Sequence, residues 1–217
     1  MDSGNAARIC SLLSKRFPEA GHNPQRRATP FQILILTILS AQTTDRSVDQ
    51  VSGRLFSRFP DPYALAGATR EEVEEIIHST GFYHVKAAHI IAAARLLAEE
   101  YGGEVPDSMD ALLKIPGVGR KTANIVLYHA VGKDEGIAVD THVMRIAKRI
   151  GLSDGPGQER IERDLMALFP RKYWGYLTDL LIAHGRTICI AKNPRCPECP
   201  VHAYCRYYRE VYVRDHK

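Results

Sequence analysis

The stretch Phe31 to Ala41, FQILILTILSA, constrains the fold more than any other, because it is apolar nearly all round. A helix of that kind has no solvent face and is central to a core. The rest of the chain has helices to enclose it. Apolar residues recur at helical spacing, as in Val73, Ile76 and Ile77 and again in Ile90, Ile91, Ala94 and Leu97, whereas clean period-two alternation is hard to find. The chain reads as all-α. Pro60-Asp61-Pro62, Gly81, Gly102-Gly103, Pro106, Pro116-Gly117, Gly132, Gly151 and Gly155-Pro156-Gly157 divide it into about ten helical pieces.

A chain of 217 residues with 45% apolar content can bury a real core, as one large domain or as two small ones. No apolar run reaches the roughly 18 residues that span a bilayer, and MDSGNAARIC lacks the apolar stretch of a signal peptide. The reading is cytoplasmic, with no membrane partner. Residues 1–7 and 211–217 are expected to fray. The net charge of +4 lies wholly in the C-terminal part, where Arg186, Lys192, Arg195, Arg206, Arg209, Arg214 and Lys217 oppose only Glu198, Glu210 and Asp215. That excess is a mild sign of a polyanionic partner.

The apolar helix ends on AQTTD, so Ser40, Gln42, Thr43, Thr44 and Asp45 leave the core together. Such a cluster suits a helix end capped by polar side chains, and it also suits the mouth of a cleft.

In PDSMDALLKIPGVGRKTANIVLYHAVG, Asp107 or Ser108 can cap a short helix that runs to about Lys114, Pro116 stops it, and a second helix begins near Arg120. Two helices joined by so tight a glycine turn form a helix-hairpin-helix. Gly117 and Gly119 are expected to permit positive φ and a close approach of a ligand to the backbone. The outward amides of Gly117, Val118 and Gly119 then make a site for one phosphate, independent of base sequence. GVGRKT is not a nucleotide-binding loop of the Walker kind: Arg120 and Ile115 stand where that pattern needs glycine. Lys121 sits at a helix start, which disfavours a cation. It is either a solvated first-turn lysine or a nucleophilic amine.

Downstream, GIAVDTHVMRIAKRIG places Asp140 at the start of a helix whose inner face is Val143, Ile146, Ala147 and Ile150. An N-cap is the structural role for such an aspartate. A carboxylate that follows an apolar run can also stabilise a developing cation.

Four of the five cysteines form Cys189-x6-Cys196-x2-Cys199-x5-Cys205, within 17 residues. In a reducing compartment this pattern means a metal centre rather than a disulfide framework. Spacing alone does not separate four-cysteine zinc from a [4Fe–4S] cluster, although zinc sites more often show two C-x2-C pairs. His202 is a spare donor. Cys10 reads as a small buried hydrophobe.

IPGVGRKTAN, AVDTHV and C-x6-C-x2-C-x5-C occur together and in this order, and with them the chain resembles the endonuclease III family of the helix-hairpin-helix superfamily, from about Phe31 to Cys205. The resemblance implies a bifunctional DNA glycosylase and abasic-site lyase of base excision repair that removes oxidised pyrimidines from double-stranded DNA. By it, Lys121 is the Schiff-base nucleophile, Asp140 the catalytic carboxylate, and Cys189, Cys196, Cys199 and Cys205 the ligands of a [4Fe–4S] cluster. LSAQTTD matches the segment that enters the duplex, so Gln42 fills the gap left by an extruded nucleotide. TGFYHVKA places Phe82 as a wedge where the family usually carries leucine. Lys192 and Arg195, in the first cysteine loop, reach phosphates. The architecture implied is a six-helix barrel domain over residues 24–133 and an iron–sulfur domain built from residues 1–23 and 134–217, with the DNA cleft between them, acting as a monomer. Three rivals remain on the sequence: a monofunctional mismatch glycosylase, against which Lys121 speaks; a non-catalytic DNA-binding module, against which Asp140 speaks; and an electron carrier, which would need a C-x2-C-x2-C run.

Overall fold

The computed structural model describes residues 2–21 and 28–215. The helices are α1 (Ser3–Arg16), α2 (Pro30–Leu39), α3 (Asp45–Arg58), α4 (Pro62–Ala66), α5 (Arg70–Ile77), α6 (Tyr83–Glu100), α7 (Met109–Leu112), α8 (Arg120–Val126), α9 (Thr141–Ile150), α10 (Gln158–Leu168), α11 (Trp174–Thr187) and α12 (Val213–Asp215). The described residues contain no strand, and none of their helices is long and apolar enough to cross a membrane. The all-α class holds. The chain divides into two compact units, Pro24–Lys133 and Met1–Asn23 with Asp134–Lys217.

In the first unit α2 lies at the centre. Phe31, Ile33, Leu34, Ile35, Leu36, Ile38 and Leu39 are all buried on it, so it presents apolar side chains in every direction, and α3, α6 and α8 pack around it. Its start is fixed locally. Thr29 and Gln32 form a reciprocal capping box and Pro30 takes the first turn, where its missing N–H costs nothing. Helix α6 packs on α4 and α5, and its buried face, Ala87, Ile90, Ile91, Ala94 and Leu97, joins the same core.

The second unit has its own core. The inner face of α9 (Val143, Ile146, Ala147, Ile150) meets α11 (Leu177, Leu180, Leu181), and α1 closes over α11 with Ala6, Ile9, Cys10 and Leu13. Cys10 is thus the buried hydrophobe expected of it. Of the N-terminal residues expected to fray, 3–7 lie in helix, which the Asp2 carboxylate caps by accepting from the Asn5 amide. Toward the C-terminus a π-helical turn, Tyr208–Tyr212, leads into α12, and residues 216 and 217 lie outside the described range.

Candidate functional site

The hairpin is built by α7 and α8. Ser108, rather than Asp107, caps α7 by accepting from the Ala111 amide, while Asp107 pairs with Lys133 at 2.5 Å. Lys133 also donates to the Asp107 carbonyl at 2.9 Å, which ties together the two ends of the 107–133 segment. Ile115 is buried, and the Val118 amide donates to its carbonyl at 3.0 Å to close the turn, so of the three amides expected to face a phosphate the middle one is instead used within the hairpin.

The two glycines do different work. Gly117 has φ +81°, and a Cβ there would stand 3.0 Å from His89 Cβ and 3.1 Å from Ile38 Cγ2. Only glycine fits. Gly119 was also expected to use positive φ, and it does not: it is extended at φ −98°, and a Cβ would meet nothing within 4 Å. Neither backbone nor packing requires glycine at that position, so the open surface there is what its missing side chain preserves. Helix α8 follows at once, with Lys121 exposed on its first turn and Ala123, Asn124 and Val126 turned inward. It then widens into a π-helical turn, Leu127–Val131, which Gly132 ends at φ +76°.

Two more loops of this unit come together. The loop after α2 carries Gln42 at φ +52°, and the loop before α6 carries Phe82 at φ +57° and 68% exposed. A Cβ on Gly81 would lie 3.4 Å from the Gln42 carbonyl oxygen, so the two turns are neighbours. Left-handed backbone at non-glycine residues is strained, and two such residues side by side on a surface are a functional signature. Of the polar cluster at 40–45, Ser40 and Thr44 serve as helix caps, with Thr44 accepting from the Ser47 amide. Gln42 is left exposed between them. Beneath lies Lys86, 4% exposed, whose ammonium donates to the Thr43 hydroxyl. Burial lowers its pKa from the usual lysine value. Sequence reading missed this residue, because nothing local separates a buried lysine from one whose stem merely lies along the surface.

In the second unit Asp140 follows a buried run, Ile137, Ala138 and Val139, which is pinned to α11 where the Ala138 amide donates to Thr178 Oγ1 at 3.1 Å. Asp140 caps α9: its Oδ1 accepts from the Val143 amide at 2.8 Å. The structural role is therefore filled by one oxygen, and no described residue hydrogen-bonds Oδ2. His142 is half-buried, with Nδ1 3.2 Å from Arg145 Nη2.

The four cysteines converge around one space. Cys189, Cys196, Cys199 and Cys205 are free thiols lining a pocket of about 330 Å³, part of it open to solvent, together with Arg149, Ile150, His184, Tyr207 and Tyr208. Arg149 holds the first loop by donating to Cys189 Sγ at 3.5 Å, to the Ile190 carbonyl at 2.7 Å and to the Ala191 carbonyl at 2.8 Å, and its guanidinium lies 5.0 Å from the Tyr207 ring centre. Arg145 caps the Cys189 and Gly185 carbonyls. Burial pushes the Cys199 thiol up to about 12 and raises Cys196 and Cys205 too, so thiolates at these three persist only against a strong positive centre. His202 points its Nδ1 at the Cys199 carbonyl, 2.7 Å away. Lys192 and Arg195 are both exposed in the 189–196 loop, near Asn193 at φ +51°.

Residues 35–171 match the family model for HhH-GPD superfamily base excision DNA repair proteins, which sets the class. Within it, the chain is 48% identical over 200 residues to endonuclease III of Synechocystis sp., covering 92% of this chain and 91% of that one. It superposes on the solved structure of a non-covalent endonuclease III–DNA complex with TM-score 0.90 at 38% identity, over 100% of both chains. A trapped endonuclease III–DNA covalent intermediate gives TM-score 0.89 at 38% identity, over 96% of this chain and 98% of that one. The chain belongs to the endonuclease III family, the bifunctional DNA glycosylases and lyases of base excision repair.

Proposed function

We propose that this protein removes oxidised pyrimidines from duplex DNA and cuts the strand on the 3′ side of the resulting abasic site, with Lys121 as the nucleophile. The observation that most supports this reading is an exposed amine on the first turn of the helix that the hairpin opens. A phosphate received by the amides of Gly117 and Gly119, on either side of the Val118 amide that closes the turn, would bring the sugar of the same strand to that amine.

The chemistry proceeds by extrusion and imine formation. The damaged nucleotide leaves the stack, at a cost of about a few kcal/mol that falls when stacking is already impaired. The Lys121 amine attacks C1′, the C1′–N bond breaks and the base leaves with its electron pair and a proton. The C1′–O4′ bond then opens, with O4′ taking up a proton, and the protonated imine so formed acidifies the 2′ hydrogen. Its loss expels the 3′ phosphate by β-elimination, and water then releases the lysine. Asp140, through the carboxylate oxygen not used as a cap, stabilises the cationic sugar. Gln42 fills the vacated position in the duplex and Phe82 wedges beside it.

The cysteine site fits a [4Fe–4S] cluster. Four free thiols ring one pocket, yet among the described residues no three donors are placed to share a single metal ion. Thiols set around a space rather than a point suit a multi-iron centre better than one zinc. When bound, the cluster supplies the positive charge that four neighbouring thiolates need and fixes the loops between them, from which Lys192 and Arg195 reach phosphates. On this reading Met1–Asn23 and Asp134–Lys217 form the iron–sulfur domain and Pro24–Lys133 the helical barrel domain, and the protein works as a monomer on the nucleoid. A panel of duplexes carrying oxidised pyrimidines or mismatches tests the substrate: base release and strand scission should rise together on oxidised pyrimidines, and release without scission would indicate a monofunctional enzyme.

A further inference from the structure

We propose that buried Lys86 is a positioning residue that straps the Gln42 loop to the Phe82 loop, so that the two insert into the duplex as one rigid wedge. The inference rests on the role given above to these loops and adds the element that holds them.

The strap runs through hydrogen bonds on both sides of Gln42. The Lys86 ammonium donates to Thr43 Oγ1, and the same hydroxyl donates to the Ala41 carbonyl at 3.3 Å. The residues flanking Gln42 are thereby tied to each other across it, which holds the intervening residue at φ +52°. At the other end the Lys86 backbone amide donates to the Phe82 carbonyl at 3.1 Å, and the Val85 amide to the same oxygen at 3.0 Å. One residue therefore grips both turns. It does so from inside, since Lys86 is 4% exposed while Gln42 and Phe82 stand in solvent.

A buried ammonium is costly unless it is hydrogen-bonded, and burial lowers the pKa of this one. A chain that needed only packing at this point of α6 would be served better by methionine or leucine. What the charge adds is a strong, directional hydrogen bond to a loop 43 residues away. Two strained turns that must displace a base gain from being held in advance, because any ordering left until binding is subtracted from extrusion.

The test compares Lys86→Met, Thr43→Val, the double variant, Lys86→Arg and Gln42→Ala on two substrates, a duplex with a paired oxidised pyrimidine and one with a pre-formed abasic site. 2-Aminopurine beside the lesion reports extrusion, and thermal melting checks folding. Lys86→Met and Thr43→Val should each slow removal of the paired base by about tenfold, the scale of one charge-assisted hydrogen bond, and lower the fluorescence rise. Abasic-site cleavage should stay within about twofold, the double variant should be no worse than either single one, and Lys86→Arg should restore part of the loss. Equal losses on both substrates, or additive losses in the double variant, would overturn the strap. If Gln42→Ala slows paired-base removal while Lys86→Met does not, the strap fails and the loop assignment stands. If Gln42→Ala removes the paired base at the parent's rate, the loop assignment fails and takes the strap with it.

Discussion

Substituting each hairpin glycine with alanine separates packing from binding. In Gly117→Ala the new Cβ enters a left-handed backbone, which costs about 1–2 kcal/mol. It also arrives 3.0 Å from His89 Cβ and 3.1 Å from Ile38 Cγ2. Ile38 lies on the central helix and is 2% exposed, so neither neighbour yields freely, and overpacking adds about 1–3 kcal/mol. The sum is on the order of 3 kcal/mol, or roughly 6–12 °C of melting temperature for a chain of this size. Gly119→Ala behaves differently. At φ −98° with nothing within 4 Å, alanine is strain-free, and the gain of about 0.4–1 kcal/mol from its smaller unfolded-state entropy is offset by the poorer N-cap alanine makes for α8, so stability should change by less than about 1 kcal/mol. The same methyl would stand on the surface where a phosphate meets the turn, so affinity for an abasic duplex should fall by about tenfold, as when a charge-assisted hydrogen bond is removed. Differential scanning calorimetry and fluorescence anisotropy at fixed salt measure the two effects. A Gly119→Ala protein that binds DNA as the parent does would refute the hairpin as a phosphate site, and a Gly117→Ala protein with unchanged melting would refute the packing argument.

Asp140→Asn should keep the α9 cap, since asparagine caps as well as aspartate, and yet slow base removal by about two orders of magnitude, whereas Asp140→Ala should also lose about 1 kcal/mol of stability; calorimetry and single-turnover kinetics distinguish the two, and equal melting losses in both would contradict the division of labour. Replacing Lys192 and Arg195 together should reduce the slope of log affinity against log salt by about one unit for each phosphate no longer neutralised, and an unchanged slope would reject a role for these two side chains at the DNA backbone. The purified protein should be brown and carry iron, and Cys199→Ser should lose the iron and the colour; colourless protein with stoichiometric zinc would sink the cluster.

What was legible in the sequence is what local pattern dictates. The all-round apolarity of Phe31 to Ala41 specified a central helix, and Pro116-Gly117 marked the hairpin because a proline stop and a left-handed turn are both local requirements. The cysteine spacing marked residues that come together, while the pocket they ring takes shape only where Arg149 and Arg145, on a helix some 40 residues earlier, hydrogen-bond the first loop. Gly119 misled because glycine is used for two reasons, conformation and bareness, and sequence does not distinguish them. Lys86 was invisible for a related reason. Its place beside Ala87 on an apolar face fits a lysine whose stem packs and whose head reaches water, and its burial is decided by Thr43, distant in sequence. Asp140 was readable as a cap and as a carboxylate for chemistry, and its two oxygens leave room for both.

The measurement closest to the central claim is borohydride trapping on a duplex with an oxidised pyrimidine, run with the parent and with Lys121→Gln. The parent should give a covalent protein–DNA adduct whose peptide map places the modification on Lys121, and Lys121→Gln should bind the duplex with similar affinity and give none. An adduct that persists in Lys121→Gln, or one that maps to another lysine in the parent, would place the nucleophile elsewhere and contradict the catalytic role assigned to the hairpin.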